Sequence, residues 1–102
     1  MIGSELRAGR TTEQLLNCDK KTFFNHIEAQ FKDEMSWDTI ELIDIDHVVP
    51  IMYKGANDIQ PTIDEMIQRM DYRNCQPLWR IDNRIKGNKL NLDELLDELL
   101  ND

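Results

Sequence analysis

In KKTFFNHIEAQFK the apolar residues Phe23, Ile27 and Phe31, with Phe24 beside them, recur at helical spacing and predict a helix with one apolar face, capped by Asp19. Just upstream, Thr11 followed three residues later by Gln14 is a capping-box pattern that predicts a short helix over Glu13 to Asn17. Met35 and Trp37 fall in a polar connection, MSWDT, and the period then changes. The β-branched run IELIDIDHVVPI predicts a strand from about Glu41 to Val49, limited by Pro50. MYKGANDIQ has the composition of a surface loop. Thr62 with Glu65 forms another capping box and opens a helix of about two turns whose inner face is Ile63, Met66, Ile67 and Met70. A second, short strand follows at CQPLW, where Pro77 is tolerable only if no ladder bond needs its missing N–H. From Ile81 the residues DNRIKGN read as helical and stop at Gly87. In the tail, Leu92, Leu95, Leu96, Leu99 and Leu100 make an apolar stripe with acids opposite, predicting an amphipathic helix over about 91–101.

This order predicts an α+β fold: a two-stranded hairpin and a short helix, flanked by helices from both ends. With 102 residues, one domain spanning 1–102 is expected. Two cysteines, Cys18 and Cys75, lie far apart without a CxxC pair, so neither a disulfide framework nor a zinc site is expected. No signal-like apolar stretch and no run of about 18 apolar residues occurs, so the expected setting is intracellular, in the cytoplasm or nucleus of the producing or host cell.

The net charge of -8 and an isoelectric point near 4.6 argue, taken alone, against an anionic partner. The distribution changes that picture. The tail LNLDELLDELLND holds Asp93, Glu94, Asp97, Glu98 and Asp102 and no cation, while WRIDNRIKGNK carries Arg80, Arg84, Lys86 and Lys89 against Asp82 alone. The acidic helix either covers apolar surface or screens the basic strip from an anionic partner.

Asp46 and His47 pose the chemical question, because a buried strand gains nothing from either side chain unless partners are supplied. IDIDHVVPI, then YRNCQPLW, then DNRIKGNK resemble the three motif blocks of the HNH endonucleases, also called His-Me finger or ββα-metal nucleases. The upstream HIEAQFKDEMSW is similar to the flank of small free-standing HNH proteins of phages and large DNA viruses, although Glu34 and Thr39 stand where glycine and asparagine are frequent. The resembling stretches cover most of residues 26 to 89, with a core motif over about 40–89.

The resemblance implies a ββα-metal core and a divalent-metal-dependent endonuclease acting on DNA, double-stranded or branched. His47 matches the general base that draws a proton from the attacking water. Asp46 and Asn83 match the protein ligands of one divalent cation, Mg²⁺ with Mn²⁺ able to substitute, since hard cations take oxygen ligands. Asn74 matches the asparagine that pins the loop carrying the histidine, and Arg80, Arg84, Lys86 and Lys89 would contact DNA phosphates. In an ideal strand residues 46 and 47 face opposite ways, so this reading requires a twist, a bulge or the end of regular pairing there.

Other readings stand beside this one. His26, among Phe23, Phe24 and Ile27, reads as a packing residue, and Trp37 and Trp79 read as core anchors. A non-catalytic DNA-binding or protein-interaction module on the same fold is the alternative function, and a protein partner or homodimer is compatible with either.

Overall fold

The structure, a computed structural model, describes residues 7–55, 57–83 and 90–101. Helix α1 (Thr12–Leu16) opens with the expected capping box: Gln14 N–H donates to the Thr11 hydroxyl and Thr11 N–H donates to the Gln14 side chain. It closes on Asn17, whose φ of 59° is the left-handed conformation common at helix ends. Asp19 caps α2 (Lys20–Glu28) by accepting from Thr22 N–H at 2.8 Å. That helix ends before Phe31, so Phe31 reaches the core from the following turn rather than from the helix face. Asp33 and Glu34 then take left-handed φ values of 53° and 69°. Glycine adopts this conformation at the least cost, so Asp33 and Glu34 carry a conformational cost here.

The strand starts later than its apolar pattern suggests. Ser36 accepts from Asp38 N–H and, by its own N–H, donates to the Thr39 hydroxyl, nucleating a 3₁₀ helix over Trp37–Leu42. Such local side-chain bonds compete with sheet pairing, so the apolar residues Ile40 and Leu42 belong to the 3₁₀ turns and Leu42 is exposed. β1 is Ile43–His47, and it pairs antiparallel with β2, Cys75–Trp79, in the register Ile43 with Trp79 through His47 with Cys75. Pro77 lies opposite Ile45, whose N–H donates instead to Leu90 O at 2.7 Å on the other edge, so the ladder needs no N–H from Pro77. β1 is thereby covered on one edge by β2 and on the other by Leu90 and Asn91, and all five of its residues are buried.

Between the strands lie the loop from Val48, helix α3 (Ile63–Arg69) with its Thr62–Glu65 capping box, and a 3₁₀ turn at Tyr72–Asn74. The inner face expected of α3 is corrected here: Ile63 is 48% exposed, Met66 and Ile67 are half-buried, and only Met70, at the C-cap, is buried. One residue of its stripe, Met70, enters the interior. α4 (Arg80–Asn83) follows β2 directly, and the remainder of the expected helix, with Gly87, lies outside the described residues.

Helix α5 (Leu92–Asn101) packs on β1 and α1, burying Leu92, Leu95 and Leu99 completely. Leu96 packs partly buried, while Leu100, expected in the same stripe, is 62% exposed because it points past the edge of the contact face. The core joins these leucines to Leu16, Phe23, Ile27, Met35, Ile43, Ile45 and Cys75. Trp37 stacks edge-on against Phe24 and Phe31, at 5.8 and 5.0 Å between ring centres, and donates its Nε1–H to Glu28. The result is a small compact α+β protein of radius of gyration 13.4 Å, close to the ~13 Å of a folded chain of this length. No helix among the described residues is long and apolar enough to cross a membrane.

The tail helix is therefore core. Each buried leucine is worth about 2–5 kcal/mol against truncation to alanine, and a domain this size has a total stability of about 5–15 kcal/mol. Deleting residues 92–102 is expected to abolish the cooperative thermal transition followed by circular dichroism. A deletion variant that stays folded and binds DNA more tightly would instead identify the helix as a screen.

Candidate metal centre and its supports

Asp46 and His47 occupy the last two positions of β1, and neither is exposed to solvent by more than a few per cent, with 1% for Asp46 and 4% for His47. No bulge intervenes, since Asp46 pairs with Gln76 and His47 with Cys75, and regular pairing ends at His47. Strand alternation then puts Asp46 on one face with Asp44, and His47 at the terminal position where the chain turns off the sheet. Asp46 accepts from Gln76 Nε2 at 2.7 Å, a cross-strand bond that fixes one oxygen of the carboxylate.

The turn after His47 is fastened at every step. Val48 N–H donates to Asn74 O at 3.0 Å. The Asn74 amide then holds both polar groups of Val49, accepting its N–H and donating to its carbonyl, each at 2.9 Å, and donates also to Arg69 O at 2.8 Å. Farther along, Arg69 donates to the carbonyls of Ile51 at 2.8 Å and Tyr53 at 2.9 Å. Asn74 is itself placed by the 3₁₀ turn, where its N–H donates to Asp71 O. Two bonds from the Arg73 guanidinium hold the Asp71 carboxyl well below the usual carboxylate range, so this anchor is charged at neutral pH.

Asn83 is fully buried at the end of α4, where its Nδ2 donates to Asp44 Oδ2 at 3.0 Å. An amide can only turn its NH₂ toward a carboxylate, so its Oδ1 points the other way. Asp44, 5% exposed, also accepts from Asn91 Nδ2 at 3.2 Å and Arg80 Nε at 3.5 Å through Oδ1. Arg80 thus has its guanidinium half-exposed beside Asp44, while Arg84, Lys86 and Lys89 lie outside the described residues.

The donor types present are those a hard divalent cation takes, with Asp46 bonded to Gln76 and Asn83 to Asp44. A carboxylate on β1 and an amide oxygen on the adjoining α4 are oxygen ligands of the kind Mg²⁺ takes while keeping several waters. Among the described residues, no three His, Cys, Asp or Glu side chains stand together as a metal-holding group, a pattern that a site of one carboxylate and one amide would not produce. The cysteines are poor ligands as they stand. Burial pushes the Cys75 thiol up to about 12, and burial with nearby Asp19 pushes Cys18 up to about 11, so both are protonated at neutral pH. His26, half-buried on α2, has Nε2 3.0 Å from Cys75 O and its ring edge-on to Tyr72, a packing role between helix and strand.

Four supporting residues escape a reading of the sequence motifs: Asp44, Arg69, Gln76 and Asn91. Asp44 left a signal in the alternation of IDID, which sets two acids on one strand face. The others act through tertiary contacts that no local spacing encodes. No family model matches the chain, and no curated protein or solved structure matches it.

Replacing Asn74 removes three side-chain hydrogen bonds, each worth roughly 0.5–1.5 kcal/mol net. Asn74→Ala is expected to lower unfolding free energy by about 1–3 kcal/mol, with hydrogen exchange accelerated most at Val48 and Val49. Protection there equal to that of the wild type would show that the loop is held by other contacts.

Proposed function

We propose that this protein is a divalent-metal-dependent endonuclease that hydrolyses DNA phosphodiester bonds, with His47 as general base and one cation held by Asp46 and Asn83. The observation that carries the reading is that the matched residues gather along β1. Asp46 and His47 end the strand, Asn74 grips the turn that follows, and Asn83 is buried against the acidic face of the same strand. β1, β2 and α4 would be the ββα unit that the motif blocks imply.

In this mechanism His47 takes a proton from a water as its oxygen attacks phosphorus. The P–O3′ bond breaks and the 3′ oxygen takes a proton from solvent, leaving a 5′-phosphate and a 3′-hydroxyl. Imidazole suits the step because it titrates near neutrality, and a positioned base contributes on the order of 10² to 10⁴ in rate. Asn74 keeps the imidazole aimed by denying the Val48–Val49 turn any other arrangement. A bound divalent cation would supply positive charge to the phosphoryl oxygen and to the departing 3′ oxygen. Arg80 offers phosphate contact at the edge of the site, and the basic residues Arg84, Lys86 and Lys89 continue the strip in sequence.

The test is cleavage of supercoiled plasmid at low salt with Mg²⁺, Mn²⁺ or EDTA. Nicked or linear product is expected only with metal, and a loss of at least about 100-fold is expected in His47→Ala, with comparable loss in Asn83→Ala. Activity that survives His47→Ala removes the assigned base. Absence of both cleavage and cation binding would favour a DNA-binding or protein-interaction module on this fold.

A further inference from the structure

We infer that Asp44 is a positioning residue for the cation site: it holds the Asn83 amide with its oxygen turned toward the ion, and Asn91 anchors Asp44 to the C-terminal helix. The inference rests on the endonuclease reading and deepens it.

Two acids, Asp44 and Asp46, share one face of β1, and their surroundings assign them different work. Both oxygens of Asp44 already meet N–H donors: Asn83 on Oδ2, and Asn91 and Arg80 on Oδ1. Three of its roughly four acceptor sites are thus taken by donors that make its burial tolerable. It acts as an acceptor. A buried asparagine can sit with its amide in either of two orientations related by a half-turn, one presenting oxygen and the other NH₂ to the same point. The carboxylate of Asp44 permits only one of them.

Asn91 makes this acceptor rigid. Its Nδ2 donates to Asp44 Oδ1 and to the Ile43 carbonyl at 3.0 Å, while its Oδ1 caps α5 by accepting from Asp93 N–H at 3.0 Å and Glu94 N–H at 3.4 Å. One side chain thus ties the start of the acidic helix to the strand and to the group that orients Asn83. The acidic helix supports the site from behind.

The proposal makes an unusual demand on the isostere Asp44→Asn. The new amide would keep its oxygen toward Asn91 and Arg80 and turn its NH₂ toward Asn83, which must then flip to accept it. The three contacts at residue 44 each keep a donor and an acceptor, but the Asn83 NH₂ now faces the ion. Mn²⁺ affinity measured by calorimetry on the full chain is therefore expected to fall about 10-fold or more, while the melting temperature stays within about 6 °C of wild type. The swapped pair Asp44→Asn with Asn83→Asp restores every donor to an acceptor and presents a carboxylate oxygen to the ion, so near-wild-type affinity is expected to return. In an Asn83→Ala background, Asp44→Asn should change affinity less than about twofold, because residue 44 acts through residue 83.

Wild-type affinity in Asp44→Asn would overturn the inference, as would an undiminished loss in the Asn83→Ala background, which would assign Asp44 a plain charge effect. Should Asp44→Asn fail to fold, the swapped pair decides, and its failure to bind Mn²⁺ counts against the inference. A wild-type protein that binds no Mn²⁺ brings down the endonuclease reading itself, a result distinct from all of these.

Discussion

A carboxylate inside a strand must be met by donors, and Asp44 draws three of them from separate parts of the chain: Arg80 and Asn83 on α4, and Asn91 ahead of α5. This single requirement organises the region around β1. It brings α4 back onto the strand it has just left and seats residues 90 and 91 along the strand's second edge, where Leu90 O receives the Ile45 N–H. With both edges paired and both faces covered, a five-residue strand becomes the most enclosed of the described elements. An enclosed strand end is a suitable place for chemistry, because charge interactions there are screened less than at the surface.

The two faces of β1 divide the labour. Ile43 and Ile45 enter the apolar core with Phe23, Ile27 and the leucines of α5, while Asp44 and Asp46 look onto polar partners from α4 and β2. The core fixes where the strand lies, and the polar partners fix how its acids are aimed. The turn beyond His47 is fixed independently by Asn74 and Arg69, which between them hold residues 48 to 53 through their backbone groups. His47 sits at the junction of these two systems.

Much of this is legible in the sequence where the signal is local. The capping boxes at Thr11 and Thr62 and the cap at Asp19 identify helix starts because the bonds they announce span only three residues. CQPLW marks β2 because its residues alternate against β1 and its proline falls where no N–H is needed. The start of β1 is not legible, since Ser36 and Thr39 divert an apolar run into 3₁₀ turns. Ile63 and Leu100 show the limit of periodicity, which identifies a face without stating how far the neighbouring element extends over it. Asp46, His47, Asn74 and Asn83 stand out in the sequence only through the resemblance of the blocks that carry them. Asp44, Asn91, Gln76 and Arg69 do not, because their roles exist only when distant segments meet.

The central claim concerns one ion between Asp46 and Asn83, and anomalous scattering from a crystal soaked in Mn²⁺ tests it most directly. The account predicts a single peak bounded by an Asp46 carboxylate oxygen and Asn83 Oδ1, each at about 2.1–2.2 Å, with Asp44 still on the amide nitrogen. A peak on the carboxylates of the C-terminal helix instead, or none near β1, would contradict it.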